Sequence, residues 1–276
     1  MTRPHGAFPL TPLGARLISG RSDASERARG GIGRRARFRS VFRKEWWFDS
    51  TRAHQAWGVD GANACAAPHR ASKMTHKLYH GDLPEGIGYG SAVAIDTEAM
   101  GLNPHRDRLC LVQLSAGDGD AHLVQFAPGG YGAPHLKRLL ADPGVTKLFH
   151  FARFDLAMLY HYLGVMATPV YCTKIASRLV RTFTDRHGLR DLCKDLLNID
   201  LSKQQQSSDW GTANLTEEQL RYAASDVLHL HALRSRLDLM LAREGRDALA
   251  RACFEFLPHR VLLDLEGWPE QDIFAH

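Results

Sequence analysis

From residue 91 onward, short apolar runs alternate with segments of helical period. Apolar runs bounded by turn residues predict four buried strands, which are 91–96, 108–116, 121–126 and 147–150. Apolar positions that recur every three to four residues predict helices, which are 134–141, 154–163, 187–197, 216–241 and 245–255. Thr216, followed by Glu218 and Gln219, predicts a capped start for the helix 216–241. A fifth short strand begins at Tyr171 and leads into a helix that ends at Arg181.

The order of these elements predicts the fold class. Three strands come first, and the turn at 117–120 suits an antiparallel connection between the second and the third. Strands and helices then alternate, and the rest of the chain is helical. We therefore predict an α/β fold with a mixed sheet whose first strands are antiparallel.

Composition narrows the class of protein. The chain has 276 residues, enough for one large domain or two small ones, and 44% of them are hydrophobic, as is usual for a globular protein. No apolar stretch reaches the roughly 18 residues of a membrane-spanning helix, so we expect no membrane span. The five Cys residues lie in no metal-ligand spacing and are typical of reduced, buried cysteines in a cytoplasmic protein.

The net charge of +5 is distributed unevenly along the chain. Residues 1–73 carry a net charge of +9, whereas residues 74–276 carry −4. Because the basic segment has clustered arginines and no sustained apolar period, we expect a disordered extension. Under each of three competing interpretations we expect this disorder: a nucleic-acid-binding arm, a targeting peptide, or a translated stretch upstream of a true start at Met74. Residues 74–276 are expected to form the functional domain.

Carboxylates recur beside the predicted elements. Asp96 and Glu98 lie two residues apart at the end of the first strand, so both side chains point to the same face. Asp155 stands at the start of the helix after the fourth strand, and Asp226 follows Tyr222 by four residues on one helix face. Each acid taken singly is an ordinary surface acid, a helix-dipole acid or a member of a hydrogen-bonded pair.

Taken together, the four acids predict a metal site. Carboxylates in predominantly apolar sequence are costly unless a cation compensates their charge. Four oxygen donors without His or Cys suit the hard cations Mg²⁺ and Mn²⁺. Two such ions about 4 Å apart form the clamp that phosphodiester hydrolysis uses. The pattern therefore favours a metal-dependent nuclease.

These motifs resemble those of a known enzyme family. The patterns Asp96-x-Glu98, His150-x4-Asp155 and Tyr222-x3-Asp226 are similar to the three motifs of the DEDD superfamily of 3′–5′ exonucleases. The Tyr in the third motif indicates the DEDDy branch, which includes ribonuclease D. Further segments resemble nanoRNase C, a compact bacterial relative of ribonuclease D without HRDC domains. They are 109–115, 172–177, 184–189, 202–210 and 272–276.

The resemblance covers about residues 74–276 and implies a ribonuclease H-like mixed sheet flanked by helices, the DEDD exonuclease architecture. It implies that two divalent ions, Mg²⁺ or Mn²⁺, are held by Asp96, Glu98, Asp155 and Asp226. Tyr222 would hydrogen-bond the attacking water, because a hydroxyl with a pKa of about 10 is a poor base at neutral pH. The product would be a nucleoside 5′-monophosphate.

Three further residues are candidates for substrate contact, and each has an alternative role. Leu102 matches a position where superfamily members wedge an apolar side chain against the terminal bases, or it is a loop residue that covers the core. His150 contacts the sugar or phosphate of the substrate, or it satisfies a hydrogen bond in the core. Trp210 stacks on a base, or it packs in the interior.

The family also implies a substrate and an assembly. NanoRNase C proteins act on short RNA down to dinucleotides and form ring-like homo-octamers, so the resemblance implies both for this chain, in the cytoplasm. The acidic balance of residues 74–276 suits a small substrate better than a long duplex, which would favour a basic groove. Residues 257–276, which show little helical period, are a candidate subunit contact, or they fold back on their own domain. The alternatives are a DNA-directed or broad-specificity exonuclease and a catalytically dead RNA-binding scaffold.

Overall fold

A computed structural model describes residues 75–202, 204–205 and 208–275, which belong to one compact unit. The expectations for the basic extension 1–73 and for Met74 lie outside the described residues. The strands are β1 (Thr75–His80), β2 (Ala92–Ala99), β3 (Leu109–Ser115), β4 (Asp120–Gln125), β5 (Thr146–Phe149) and β6 (Val170–Cys172). The helices are α1 (Pro134–Ala141), α2 (Ala152–Leu163), α3 (Thr173–Val180), α4 (Leu189–Leu192) with a π-helical continuation (Cys193–Leu197), α5 (Glu217–Leu228), α6 (Leu230–Glu244) and α7 (Asp247–Leu265).

The strands form one mixed sheet in the order β1-β4-β3-β2-β5-β6. The pairs β2–β3 and β3–β4 are antiparallel, whereas β1–β4, β2–β5 and β5–β6 are parallel. The seven residues of β3 are all buried, because the strand lies inside the sheet and both of its faces are covered. The prediction of an α/β fold with antiparallel strands at its beginning is confirmed.

The central strand β2 changes partners along its length, and this positions the acidic residues. It pairs with β5 over Ala92–Ala94 and with β3 over Ala94–Ala99. From Ile95 onward, the edge of β2 that faces β5 therefore has no strand partner. Helix α2 begins three residues after β5 ends, so its first turn can approach the segment of β2 that carries Asp96 and Glu98.

Local sequence signals explain where the helices nearest these acids begin and end. Thr216 caps α5 through a capping box, in which its hydroxyl accepts from the Gln219 N–H at 3.2 Å and the Gln219 side chain accepts from the Thr216 N–H at 2.9 Å. The capped start predicted at Thr216 is thus confirmed. Helix α2 ends at Gly164, whose φ of 69° lies in the left-handed region that glycine adopts without strain.

Several predicted helix boundaries are wrong. The single helix expected over 216–241 is broken at His229, whose φ of −105° and ψ of −5° end α5 before α6 begins. The helix expected over 187–197 starts at Leu189 and widens into a π-helical turn. The last helix, expected over 245–255, runs from Asp247 to Leu265 through Pro258, so residues 257–265 are helical. Arg153 donates to the Pro269 carbonyl at 2.6 Å, so the segment after the helix folds back on its own domain. No Gly or Pro marks the break at His229, and Pro258 is normally a helix breaker.

Strand β1 was missed by the sequence pattern. Its residues Thr75–His80 are half-buried or exposed at the sheet edge and pair in parallel with β4. Since an edge strand needs no continuous apolar run, polar residues there hide its strand character. Among the described helices, none combines the length and the apolar character that crossing a membrane requires.

The predicted burial of the cysteines is confirmed for three of them. Cys110, Cys172 and Cys193 are buried free thiols, and Cys253 is half-buried. The fifth, Cys65, lies outside the described residues. The buried thiols therefore act as small apolar side chains of the core.

Candidate active site

Carboxylates distant in sequence meet at one point of the fold. Oxygen atoms of Asp96, Glu98 and Asp226 all lie within 4.8 Å of one another, and the three residues are half-buried. Strand β2 presents the first two on one face, as alternation predicts, and helix α5 brings Asp226 against them. The three could hold one cation between them.

The fourth predicted acid, Asp155, approaches from α2. It lies in the first turn of that helix and is 3% exposed. Its Oδ1 atom accepts a 2.7 Å hydrogen bond from the hydroxyl of Thr97. The charge of Asp96 raises the pKa of Asp155, and the charge of Asp155 raises the pKa of Glu98. The structure therefore brings all four predicted carboxylates into one electrostatic cluster.

Burial and mutual repulsion make these carboxylates hard to ionise. Removal from water raises the pKa of every one of them above its ordinary value, and it is the largest cause for Asp96, Glu98, Asp155 and Asp226. Repulsion by the charge of Asp96 adds to this for the other three. Such a cluster favours either a proton or a cation.

The donor set fits a hard divalent cation. The four side chains offer carboxylate oxygens without His or Cys, which suits Mg²⁺ or Mn²⁺ better than softer metals. The close approach of three carboxylates brings the oxygens near enough to share one ion. A bound cation would relieve the repulsion that burial makes costly.

Tyr222 lies one helical turn before Asp226 on α5. Burial, followed by repulsion from Asp226, raises the pKa of the Tyr222 hydroxyl above its ordinary value. The Tyr222 hydroxyl donates a hydrogen bond to the Asp226 carboxylate. This bond lowers the pKa of Asp226 and so opposes burial and the charge of Asp96, which raise it. The hydroxyl therefore keeps its proton at neutral pH and acts as a donor, in agreement with the expectation that it is not a base.

The structure tests the alternative roles of Leu102 and His150, two of the three candidate substrate residues. Leu102 is 83% exposed, so its alternative role of covering the core is wrong, and the wedge role stays a prediction. His150 lies directly after β5, and its Nδ1 is 2.9 Å from the Thr173 hydroxyl. Because that hydroxyl donates to the Phe149 carbonyl at 3.1 Å, the His150 Nδ1 must be the donor. The alternative role of a hydrogen bond in the core is thus confirmed, and the substrate contact of His150 stays a prediction. Burial lowers the pKa of His150 to about 3, so the ring is neutral.

The third candidate, Trp210, packs in the interior. It is 3% exposed, and its ring centroid lies 6.1 Å from that of Tyr222. A side chain so enclosed offers no face to a base, so the stacking interpretation is wrong and the packing alternative is confirmed. Trp210 supports the ring of Tyr222 from the side of the core.

Sequence reasoning missed Thr97, which contacts the cluster, and Phe151, which precedes α2. Thr97 was overlooked because a Thr between two acids in a strand gives no sign of its partner, although the Asp-Thr-Glu order itself was visible. Phe151 was overlooked because its left-handed backbone, with a φ of 69°, is unusual for a bulky residue. Its ring is 47% exposed and lies 4.1 Å from the Lys174 Nζ.

Comparison with known sequences identifies relatives. The profile of the 3′–5′ exonuclease family matches residues 73–242. The ribonuclease D of Gluconacetobacter diazotrophicus is 38% identical over 154 residues, which are 56% of this chain and 39% of the relative. The DNA polymerase I of Aquifex aeolicus is 34% identical over 159 residues, 56% of this chain and 26% of the relative. The chain therefore spans less than half the length of these relatives.

Comparison with solved structures gives a match over nearly a whole protein. Brucella melitensis NrnC is 58% identical with a TM-score of 0.72, over 74% of this chain and 99% of that protein. NrnC has also been solved bound to pGG, at 57% identity and a TM-score of 0.72 over 74% and 99%, and with bound Mg²⁺, at 56% and 0.71 over 74% and 100%. These matches confirm the expected ribonuclease H-like architecture.

Proposed function

Since this chain belongs to the 3′–5′ exonuclease family, as a compact member of the ribonuclease D superfamily close to NrnC, we propose that it degrades short RNA, down to dinucleotides, from the 3′ end. Hydrolysis adds water to the terminal phosphodiester, breaks the bond from phosphorus to the 3′ oxygen, and releases a nucleoside 5′-monophosphate. The remaining chain keeps a free 3′ hydroxyl.

The observation that carries this proposal is a cluster of one buried and three half-buried carboxylates drawn from three separate elements. The oxygens of Asp96, Glu98 and Asp226 lie within 4.8 Å of one another, and Asp155 acts on the same cluster. A fold that only needed stability would not collect four acids in a partly apolar setting. The arrangement argues against a catalytically dead scaffold, which has no need to retain it.

We assign the metal-binding role to these four carboxylates. Two ions, Mg²⁺ or Mn²⁺, would when bound supply positive charge to the phosphate and a lowered pKa to the attacking water. Asp96, Glu98, Asp155 and Asp226 hold and orient that charge. The protonated Tyr222 donates to Asp226 and would offer its hydroxyl oxygen as an acceptor to the attacking water. The neutral His150 keeps its Nε2 atom available as an acceptor for a sugar hydroxyl.

The preference for short substrates has its own support. NrnC, which this chain matches over almost its whole length, has been solved with the dinucleotide pGG. Leu102 projects from a loop after β2 and is available to contact the terminal bases. We propose that Leu102 contacts the bases of a short RNA, while the four carboxylates would hold divalent ions that supply positive charge to its phosphate.

The decisive experiment compares three substrates. The protein is incubated with a 5′-labelled RNA dinucleotide, a longer RNA and a duplex DNA, in Mg²⁺ or Mn²⁺ and with a chelator. We expect rapid release of the monophosphate from the dinucleotide, slower cleavage of the longer RNA, and no cleavage with chelator. A strong preference for long DNA would replace this proposal with a DNA-directed exonuclease, which the match to a DNA polymerase I makes the second candidate.

The assembly and the place of action complete the proposal. We propose that the exonuclease domain spans residues 74–276, that it acts in the cytoplasm, and that it forms a ring-like homo-octamer. Exposed apolar side chains in the last segment, Trp268, Ile273 and Phe274, support a subunit contact there. Light scattering of the full chain measures the mass, and a monomer in solution would contradict the octamer.

A further inference from the structure

Thr97 stands between the two carboxylates that β2 contributes to the cluster. Its side chain is 5% exposed, and its hydroxyl donates a 2.7 Å hydrogen bond to Oδ1 of Asp155. Asp155 is itself 3% exposed. Because both partners are shielded from water, a hydrogen bond to the ionised carboxylate is stronger here than at a surface.

The alternation of β2 explains why this hydroxyl reaches Asp155. Thr97 points to the face opposite Asp96 and Glu98. Helix α2, which carries Asp155, contacts β2, β3, β5 and β6, whereas α5, which carries Asp226, contacts β1 to β4. The hydrogen bond of Thr97 thus connects Asp155, on α2, to strand β2, which carries Asp96 and Glu98.

The hydroxyl also has a fixed direction. Thr is β-branched, so few side-chain rotamers are open to it and its hydroxyl is held in place with little freedom. Within the part of the chain that the structure describes, Thr97 is the side chain that donates to Asp155. The backbone N–H groups of Thr97 and Asp155 also donate to this carboxylate. No other described side chain donates to it, and two carboxylate oxygens offer about four lone-pair sites, so the carboxylate keeps acceptor capacity for a cation.

We propose that Thr97 is a positioning residue, which holds one oxygen of Asp155 so that the other is presented to a divalent cation shared with Asp96 and Glu98. This inference rests on the proposed metal-dependent exonuclease. Without the hydroxyl, Asp155 would retain its charge but could rotate away from the cluster or repel its neighbours. Removal of the hydroxyl should therefore weaken metal binding more than it destabilises the fold.

The test uses Thr97→Val, which keeps the shape and removes the hydroxyl, and Thr97→Ser, which keeps the hydroxyl. Loss of a group that orients a metal ligand commonly costs 10- to 100-fold in affinity or activity, so we expect Thr97→Val to raise the Mn²⁺ concentration for half-maximal activity about 10- to 100-fold. Added Mn²⁺ should raise the melting temperature, because a metal that binds the native state stabilises it. The Mn²⁺ concentration that gives half of this increase should be about 10- to 100-fold higher for Thr97→Val than for wild type. Thr97→Ser should stay close to wild type in both.

Ser115→Ala is the matched control. Ser115 is fully buried, and its hydroxyl donates a 2.7 Å hydrogen bond to the Asp120 carbonyl at the far end of β3. This variant loses a comparable buried hydrogen bond away from the carboxylates. We expect a lower melting temperature and an unchanged metal requirement, which separates general destabilisation from a specific effect on the metal site.

Two results would overturn the inference. One is a Thr97→Val variant that melts earlier but needs no more Mn²⁺ than wild type, which indicates a purely structural hydroxyl. The other is a Thr97→Ser variant with the same defect in metal binding as Thr97→Val. If Thr97→Val does not fold, Thr97→Ala takes its place in both measurements. A wild-type protein that cleaves without metal would instead contradict the proposed function.

Discussion

The substitution Asp96→Asn should make the metal-free protein more stable while it removes activity. Burial raises the pKa of Asp96 from its ordinary value of 3.8 to about 7. The native state therefore holds a proton on Asp96 more tightly than the unfolded state does. By linkage, the stability of the metal-free protein falls as the pH rises from about 4 to about 7, since ionisation is easier after unfolding.

The magnitude follows from the size of this displacement. A rise of about three pKa units at about 1.4 kcal/mol each corresponds to about 4 kcal/mol of destabilisation at pH 8. The side chain keeps partial contact with solvent, which screens the charge and reduces this cost. We expect the neutral, isosteric Asn to recover about 1–3 kcal/mol, or roughly 2–10 °C in melting temperature for a domain of this size.

Thermal unfolding in the presence of a chelator measures the effect at pH 4 and at pH 8. At pH 8 Asp96→Asn should melt above wild type, whereas at pH 4 the difference should disappear because Asp96 is then protonated. Asp185→Asn, which removes an exposed carboxylate, is the control and should change little at either pH. With Mn²⁺ added, wild type should gain stability and Asp96→Asn should gain far less.

Either of two results would contradict the expectation for Asp96→Asn. If Asp96→Asn melts below wild type at pH 8 without metal, the carboxylate is stabilised in the fold by groups other than a cation. A difference that is the same at both pH values would show that the charge of Asp96 is not its origin.

Three further substitutions test other parts of the structure. Leu102→Ala should lower kcat/KM on a dinucleotide without changing the melting temperature, since the side chain is 83% exposed; equal kinetics would remove it from the substrate site. Gln113→Met should raise the free energy of unfolding by about 1–3 kcal/mol in urea titrations, because both amide atoms of this fully buried residue have no hydrogen-bond partner among the described residues. Asp264→Asn should lower the free energy of unfolding by about 1–3 kcal/mol, because the Asp264 carboxylate accepts from Arg153 at 2.5 and 2.7 Å and pairs with Arg260 at 2.8 Å. An unchanged unfolding curve of Gln113→Met or Asp264→Asn would contradict the expectation for that variant.

The chemistry of the site was readable in the sequence because it depends on residue types in a fixed order. Asp96 and Glu98 two residues apart on a strand must share a face. Tyr222 and Asp226 four residues apart on a helix must do the same. Both relations follow from local backbone geometry, so they were available before any packing was known. The predicted strands, the capped start at Thr216 and the mixed sheet follow from equally local patterns.

Tertiary structure decided the features that depend on contacts between distant segments. Trp210 has a sequence context that suits base stacking, yet packing against α5 encloses it. Strand β1 exists because β4 offers it an edge, and its own polar sequence gives little sign of this. The hydrogen bond from Thr97 to Asp155 joins residues that are 58 positions apart in the chain. Local pattern determined which carboxylates exist and how they face, and only the packing of α2 and α5 around β2 determined that they meet.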